Sequence, residues 1–269
     1  MMIDSTHMIL LALIQGITEF LPISSSGHLV LLPAVTSLAD QGQLLDVAAH
    51  FGTLGAVIIY VRRDIISMIR GVFTLGKSDQ AGLSLALMLI TASVPVIAIG
   101  LIVEWLDPAF LRLALTVALA NIFFAGLLFK ADRDYPATRA MSDITYRDAL
   151  YLGLAQIAAL IPGTSRSGVT MTAARARGFD RLSAARFSML MSVPVILGAS
   201  LVKSRHFFAD DHSSSLAQAG LVALLSLITA LIAIRLMMGW LAKADFKIFV
   251  YYRFALGLLL LGAITLGVI

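Results

Sequence analysis

The sequence has no cysteine and little charge: Asp, Glu, Lys and Arg make up 13% of its 269 residues. The missing cysteine excludes disulfides, Cys-zinc centres and thiol nucleophiles. The missing charge excludes more. A soluble domain carries about 25% charged and about 45–50% apolar residues, whereas this chain is 59% hydrophobic with a mean hydropathy of +0.92. So few charges cannot cover a soluble surface of this size. A soluble globular enzyme, a disordered chain and a nucleic-acid binder are excluded, and a polytopic membrane protein remains. The net charge of +4 points to no acidic partner, because Lys and Arg lie mostly between the apolar runs. A basic start is also missing. Residues 1–7 hold no Lys or Arg, so no cleavable signal is expected and the N-terminus is expected outside the cytoplasm.

What is present is apolar and long. A helix needs about 20 apolar residues to cross the hydrocarbon. Six runs reach or approach that length: 44–61, 81–103, 109–129, 187–202, 216–239 and 248–268. Two others are too short. Residues 8–21 stop at Pro22 and the polar turn Ser24-Ser25-Ser26-Gly27-His28, followed by a second short run, 29–38. Residues 149–161 stop at Pro162 and Gly163-Thr164-Ser165-Arg166-Ser167-Gly168, followed by 169–174. Short helix, polar turn, short helix predicts a re-entrant hairpin. Irregular backbone at membrane depth survives only when buried in protein or lining a wet cavity, and paired interrupted segments point to a binding site.

The halves correspond. One shift of 141 residues lays Gln15 on Gln156, Ser24 on Ser165, Ser26 on Ser167 and Gly27 on Gly168, and brings three span pairs into register. Each half is one hairpin plus three spans, and an odd number inverts the second half. The expected fold is an all-α polytopic membrane protein. It has six transmembrane helices and two re-entrant helical hairpins in an inverted repeat, about 8–129 and 149–269, within one membrane domain over 1–269. The basic stretches 62–80, 130–148, 175–186 and 240–247 are read as cytoplasmic by the positive-inside rule. Segments 104–108 and 203–215 are read as external, as are both termini. The first hairpin then enters from outside and the second from the cytoplasm, so their tips can meet.

The tips carry the unusual chemistry. Gln15 and Glu19 share a helix face, and a carboxylate inside an apolar run is costly and a functional candidate; its bland alternative is a hydrogen-bonded structural Glu. Ser24, Ser25 and Ser26 precede His28. A hydroxyl beside an imidazole is an activatable nucleophile, although serines ahead of a helix also serve as N-caps. The second tip supplies Arg166, whose guanidinium matches phosphate in bidentate geometry. Flanking Gly163, Ser165, Ser167 and Gly168 let backbone N–H groups face an anion at a helix start; the alternative is an Arg that only pairs Glu19. Acid and base on one tip and an anion clamp on the other suit a phosphate carried on a lipid. Asp46 and His50, one helical turn apart, could line the cavity or bind a cation, or form a structural hydrogen bond. Asn121 is read as an interhelical hydrogen bond, and Pro95 and Pro194 as kinks.

At these residues a resemblance appears. Gln15-Gly-Ile-Thr-Glu19-Phe-Leu-Pro-Ile-Ser-Ser-Ser-Gly-His28 and Pro162-Gly-Thr-Ser-Arg166-Ser-Gly168 resemble the two motifs of undecaprenyl-diphosphate phosphatases of the bacitracin-resistance type, and residues 45–57 are similar to a further family segment. The resemblance implies a multi-pass enzyme of the bacterial inner membrane with an external, periplasm-facing site. It would hydrolyse undecaprenyl diphosphate to the monophosphate carrier reused for peptidoglycan, conferring bacitracin resistance, with Mg²⁺ or Ca²⁺ as cofactor. Its roles fall on Gln15 and Glu19, on Ser25 as nucleophile, and on His28 and Arg166, with Ser26 and Ser165 near the phosphates. Glu19 is the best candidate metal ligand; Gln15, standing at the first acidic position, puts a ligand there in doubt. Type-2 phosphatidic-acid phosphatases are excluded, because they need Lys-x6-Arg-Pro and a His after Ser-Arg, and here Met171-Thr172 follow.

The expected mechanism has Arg166 hold the diphosphate while Ser25, deprotonated by His28, attacks the terminal phosphorus; in a variant His28 is the nucleophile. The alternative from another class is a polyprenyl-phosphate transporter or flippase. Expected partners are the polyprenyl diphosphate and membrane lipids, not nucleic acid. A homodimer is allowed, and nothing in the sequence fixes the oligomeric state.

Overall fold

Helices form where the apolar runs lie, and the two short runs end at the turns that hold Pro22 and Pro162. The computed structural model describes residues 5–25, 27–28, 42–204 and 213–267. Among these it holds no β-strand, and the helices follow in order: α1 (Ser5–Thr18), α2 (Gly42–Tyr60), α3 (Arg62–Phe73), α4 (Gln80–Leu106), α5 (Ala114–Asp134), α6 (Tyr146–Gln156), α7 (Arg166–Ala176), α8 (Arg181–Ser204), α9 (Ser213–Leu241) and α10 (Lys247–Thr265). The short run 29–38 lies outside the described residues, as do Ser26, Asp210 and Asp211. The protein is an all-α polytopic membrane protein. Among the described residues five helices (α4, α5, α8, α9, α10) are long and apolar enough to cross a membrane, and α2 with α3 makes a sixth if that pair, bent by 81°, is one span.

The surface confirms the composition argument. In the most apolar stretch of those five helices only 22–50% of residues are buried. Leu101, Leu258 and Leu259 point outward, while Asn121, Ser93, Ser226 and Arg253 are buried. A helix apolar on its outer face and polar within fits lipid, not water. Without a hydrophobic drive between helices in lipid, association rests on close packing and internal hydrogen bonds. α2 and α1 both lie along α9, α10 lies along α5, and α6 lies along α4. Gly153 of α6 is pressed against the Ala92 backbone so closely that a Cβ would not fit. α4 and α8 run unbroken through Pro95 and Pro194.

Two expectations change. The segment 62–80 is not all loop: residues 62–73 form α3, tied to the start of α4 by a Ser67 Oγ hydrogen bond to Asp79 Oδ2 at 2.7 Å. Nor do the basic residues only punctuate the chain. Arg175 is fully buried and donates from Nε to Asp132 Oδ1 at 2.9 Å. Asp132 also accepts from Arg181 at 2.8 Å and from the Phe246 N–H at 3.2 Å. Asp148 accepts from Arg177 at 2.8 Å and from Arg139 at 3.1 Å. Asp64 accepts both nitrogens of an Arg186 fork, at 2.6 and 3.0 Å. These ion pairs draw 62–80, 130–148 and 175–186 to one end of the bundle, and the Phe246 N–H ties 240–247 to the same end.

Candidate active site

Each tip is built by the same local device. α1 closes with the Glu19 N–H on Gln15 O at 3.1 Å; Pro22 then has no N–H to continue a helix. The chain reverses at Ser24, whose φ is +72°, and Gly27 N–H donates to Ser24 Oγ at 3.3 Å. On the second tip Ser165 has φ +69° and its Oγ accepts from Gly168 N–H at 3.1 Å, capping α7. Both cap pairs are 141 residues apart (24 to 165, 27 to 168). At the same offset Ser25 falls on Arg166 and Glu19 on Leu160, so one position carries a hydroxyl on the first tip and a guanidinium on the second.

The tips touch. Arg166 Nη2 lies 3.4 Å from Glu19 Oε1, and its Nη1 donates to Ser188 O at 3.1 Å. Ser167 Oγ donates to Leu21 O at 2.8 Å and lies 3.1 Å from Ser165 Oγ. Arg166 also lies over the Phe20 ring, 5.9 Å from its centroid. Glu19 Oε2 accepts from Gln15 Nε2 and from Ser25 Oγ, both at 3.0 Å. Three polar atoms here are buried without a partner among the described residues: Arg166 Nε, Gln15 Oε1 and Thr164 Oγ1. Such groups are expensive unless something else meets them. The contact between tips expected from the inverted reading is therefore present.

The expected Ser25–His28 couple is not. Ser25 turns toward Glu19. His28 Nδ1 lies 2.6 Å from Ser24 O, and Nε2 lies 2.6 Å from the Tyr252 hydroxyl, with the two rings stacked at 5.7 Å. A carbonyl only accepts, so Nδ1 carries the proton and Nε2 of the neutral ring accepts from Tyr252. The reason is helical geometry: His28 sits in the first turn after Ser24, so its ring folds back on that carbonyl. His50 Nδ1 bonds the backbone O of Asp46 at 2.7 Å, and neighbouring Leu45, Ala48 and Ala49 pack on Met8, Leu11 and Ala12 near the start of α1.

One residue at the site went unread in the sequence. Arg253 of α10 is fully buried. Its Nε donates to Asn121 Oδ1 at 2.8 Å, which meets the expectation for Asn121, and its Nη2 donates to Gly163 O at 3.0 Å and Thr164 O at 2.8 Å. Nη1 has no partner among the described residues. Gly163 has φ +91° and lies flat against α5, where a Cβ would overlap Val117 O. Its carbonyl is thus held for Arg253. The signal was there: an Arg inside the apolar run 248–268 obeys the same cost argument as Glu19.

Oxygen donors suited to a hard divalent cation stand together at the first tip: Glu19, the partnerless Gln15 Oε1 and the Ser25 hydroxyl. No group of three or more His, Asp or Glu gathers among the described residues. The set fits a cation that shares its shell with substrate phosphates and water, the usual habit of Mg²⁺.

The arrangement can hold an anion, generate an oxygen nucleophile and accept its proton. The chain is 45% identical to a protein of Ruegeria pomeroyi over 95% of this chain and 97% of that one. It is 46% identical to one of Roseobacter denitrificans over 95% and 97%, and 41% identical to one of Campylobacter curvus over 96% and 98%. All three are named undecaprenyl-diphosphatase. The family described as bacitracin resistance protein BacA matches residues 8–259. With nearly the whole chain covered, both tips included, the chain belongs to the bacitracin resistance protein BacA family.

Proposed function

We propose that this protein is an undecaprenyl-diphosphatase, releasing inorganic phosphate and undecaprenyl monophosphate in a bacterial inner membrane. The observation that carries the reading is the Glu19 carboxylate, which accepts from Ser25 Oγ on its own tip and meets Arg166 from the other. The relatives' shared name supplies the substrate. The returned monophosphate serves peptidoglycan synthesis, and removing the diphosphate gives bacitracin resistance.

The terminal phosphate takes the place of Glu19 at Arg166, whose free Nε completes a fork for two phosphate oxygens. Ser25 passes its proton to Glu19 as Oγ attacks the terminal phosphorus. The O–P bond forms, the bridging P–O bond breaks, and undecaprenyl monophosphate leaves with the bond's electrons. Glu19 hands its proton to the departing phosphate and then takes one from water. The hydroxide attacks phosphoserine, phosphate departs, and Ser25 recovers a proton. His28, held by Ser24 O and Tyr252, lies on the helix after the nucleophile and would reach a phosphate oxygen only by taking a proton on Nε2 and exchanging the Tyr252 hydroxyl for the phosphate. Ser165 and Ser167 hold the turn that presents Arg166, through Gly168 N–H and Leu21 O. A divalent cation held by Glu19 and Gln15 would neutralise diphosphate charge. Most acceleration comes from charge stabilisation fixed in advance.

The two hairpins are proposed as re-entrant, entering from opposite faces in an inverted repeat. Matching caps at Ser24 and Ser165 and the contact between tips support this. The basic end would face the cytoplasm, with the site open to the periplasm and both termini outside. The transporter alternative draws no support from a Ser–Glu couple or from relatives named as diphosphatases. In detergent with undecaprenyl diphosphate, the purified protein is expected to release phosphate, and Ser25→Ala to lose about three orders of magnitude in rate. Near-native release by Ser25→Ala would overturn the serine mechanism. Substrate binding without release by the unaltered protein would favour a carrier.

A further inference from the structure

A second polar feature lies away from the tips, at the elbow where α2 turns into α3. A cavity of about 420 Å³ opens there, lined by Tyr60, Arg62, Arg63, Ser183, Arg186 and Met238 among others. It holds three guanidinium groups against one carboxylate, that of Asp64, which Arg186 already occupies through both nitrogens. Arg62 and Arg63 are exposed and have no carboxylate partner among the described residues. Arg62 makes one weak bond, from Nη1 to Ile59 O at 3.3 Å.

The helix leaving this cavity is reversed relative to a soluble amphipathic helix. Its polar side chains face the protein: Asp64 reaches Arg186 of α8, and Ser67 reaches Asp79. Ile65 and Met68 pack on the core, but a second apolar face points out: Ile66, Ile69 and Phe73, at helical spacing, are 54%, 51% and 84% exposed, and Leu75 beyond is 78% exposed. Arg63 and Arg70 flank that strip, exposed. Gly71 and Gly82 bring α3 against α4 with no room for a Cβ on either, so the shelf is rigid. Its 81° bend from α2 sets α3 nearly level with the membrane surface when α2 stands across it. Apolar residues facing the hydrocarbon boundary with basic groups at the edge form the pattern of an interfacial helix drawn to anionic lipid.

We propose that the α2–α3 elbow is a binding site for the phosphate headgroup of an anionic bilayer lipid. Arg62 and Arg63 grip the phosphate, and the acyl chains lie along Ile66, Ile69 and Phe73. The occupant is a lipid and not free phosphate, because the cations open onto an apolar face that only chains would cover. The site is separate from the tips and independent of the phosphatase reading.

The test is saturable binding of fluorescent phosphatidylglycerol to the full chain in detergent. Two basic side chains at about 1 kcal/mol each convert to roughly a twenty- to thirtyfold affinity change. Arg62→Gln with Arg63→Gln is expected to weaken binding by that factor without changing the melting temperature, since both side chains are exposed. Arg62→Lys with Arg63→Lys is expected to retain most of it. Phosphatidylcholine and millimolar inorganic phosphate are expected not to displace the probe. Unchanged affinity in the double Gln variant overturns the proposal. So does displacement by phosphate alone, which would mean an ion site, or loss of the probe in Arg166→Gln with the elbow intact, which would place it at the tips.

Discussion

Arg166 and Glu19 face each other at 3.4 Å, a long contact for a charge pair with neither side chain well exposed. A pair built only for stability would close to about 2.8 Å and satisfy every donor, yet Arg166 Nε has no partner among the described residues. The guanidinium is held open, at Ser188 O on one side and Glu19 on the other, for a third group. Arg166→Lys keeps the charge and loses the fork. Its kcat/KM for undecaprenyl diphosphate is expected to fall by about two to three orders of magnitude, the cost of one preorganised donor to a developing anion. Phosphate release at several substrate concentrations checks it; activity within threefold of the unaltered protein would remove bidentate grip from the mechanism. Glu19 and Arg166 were legible because each is a charge placed where lipid makes charge costly. The partner of Ser25 was not. Spacing brings both Glu19 and His28 within reach of that hydroxyl, and only the backbone turn at Ser24, which draws the His28 ring onto its carbonyl, decides between them.

At the scale of elements the second tip depends on a helix distant in sequence. Arg253 on α10 binds two successive carbonyls of the turn, Gly163 O and Thr164 O, and is itself oriented by Asn121 on α5. It acts on Arg166 by fixing the loop that starts α7, a positioning role. Arg253→Lys cannot span Asn121 and both carbonyls at once, so kcat is expected to fall by about tenfold or more with KM rising in step, as misplaced catalytic groups cost. Loss of thermal stability alone, with kinetics unchanged below the transition, would assign it to structure only. This coupling was hidden in the sequence because the acceptors are main-chain atoms, which leave no residue signature. α3 was hidden for a different reason. Four basic residues between 62 and 80 read as a loop, and the apolar positions Ile66, Ile69 and Phe73 between them form an outward stripe, opposite to the pattern of a soluble domain.

For the whole molecule, the few charges lock the basic end. Burial alone would raise the Asp148 pKa, but hydrogen bonds from Arg139, Thr145 and Arg177 outweigh it and hold the carboxyl below its usual range. A depressed carboxylate stabilises the fold above its unfolded pKa, about 3.9, and that stability is lost as pH falls further. Asp148→Asn is therefore expected to melt lower at neutral pH and to lose less on acidification to about pH 3; parallel melting curves for the two proteins would refute the linkage. Asp132 is the stronger lock, joining α5 to α7, α8 and the start of α10. Arg175 lies wholly buried against it and also serves the carbonyls of Tyr135 and Pro136. Asp132→Asn leaves that guanidinium without a counter-charge, a loss of about 3–5 kcal/mol, or a fall in melting temperature of about 10 °C at 2–4 °C per kcal/mol. Asp134, two residues on, pairs among the described residues with exposed Arg133 alone; Asp134→Asn is expected to leave the melting temperature unchanged within about a degree, as exposed pairs contribute little. The comparison separates burial from charge, since both variants remove one carboxylate from one helix end. Equal shifts would mean that the basic end is held by its net charge; a shift confined to Asp132 would mean that the buried Asp132–Arg175 pair fastens α5 to α7 there.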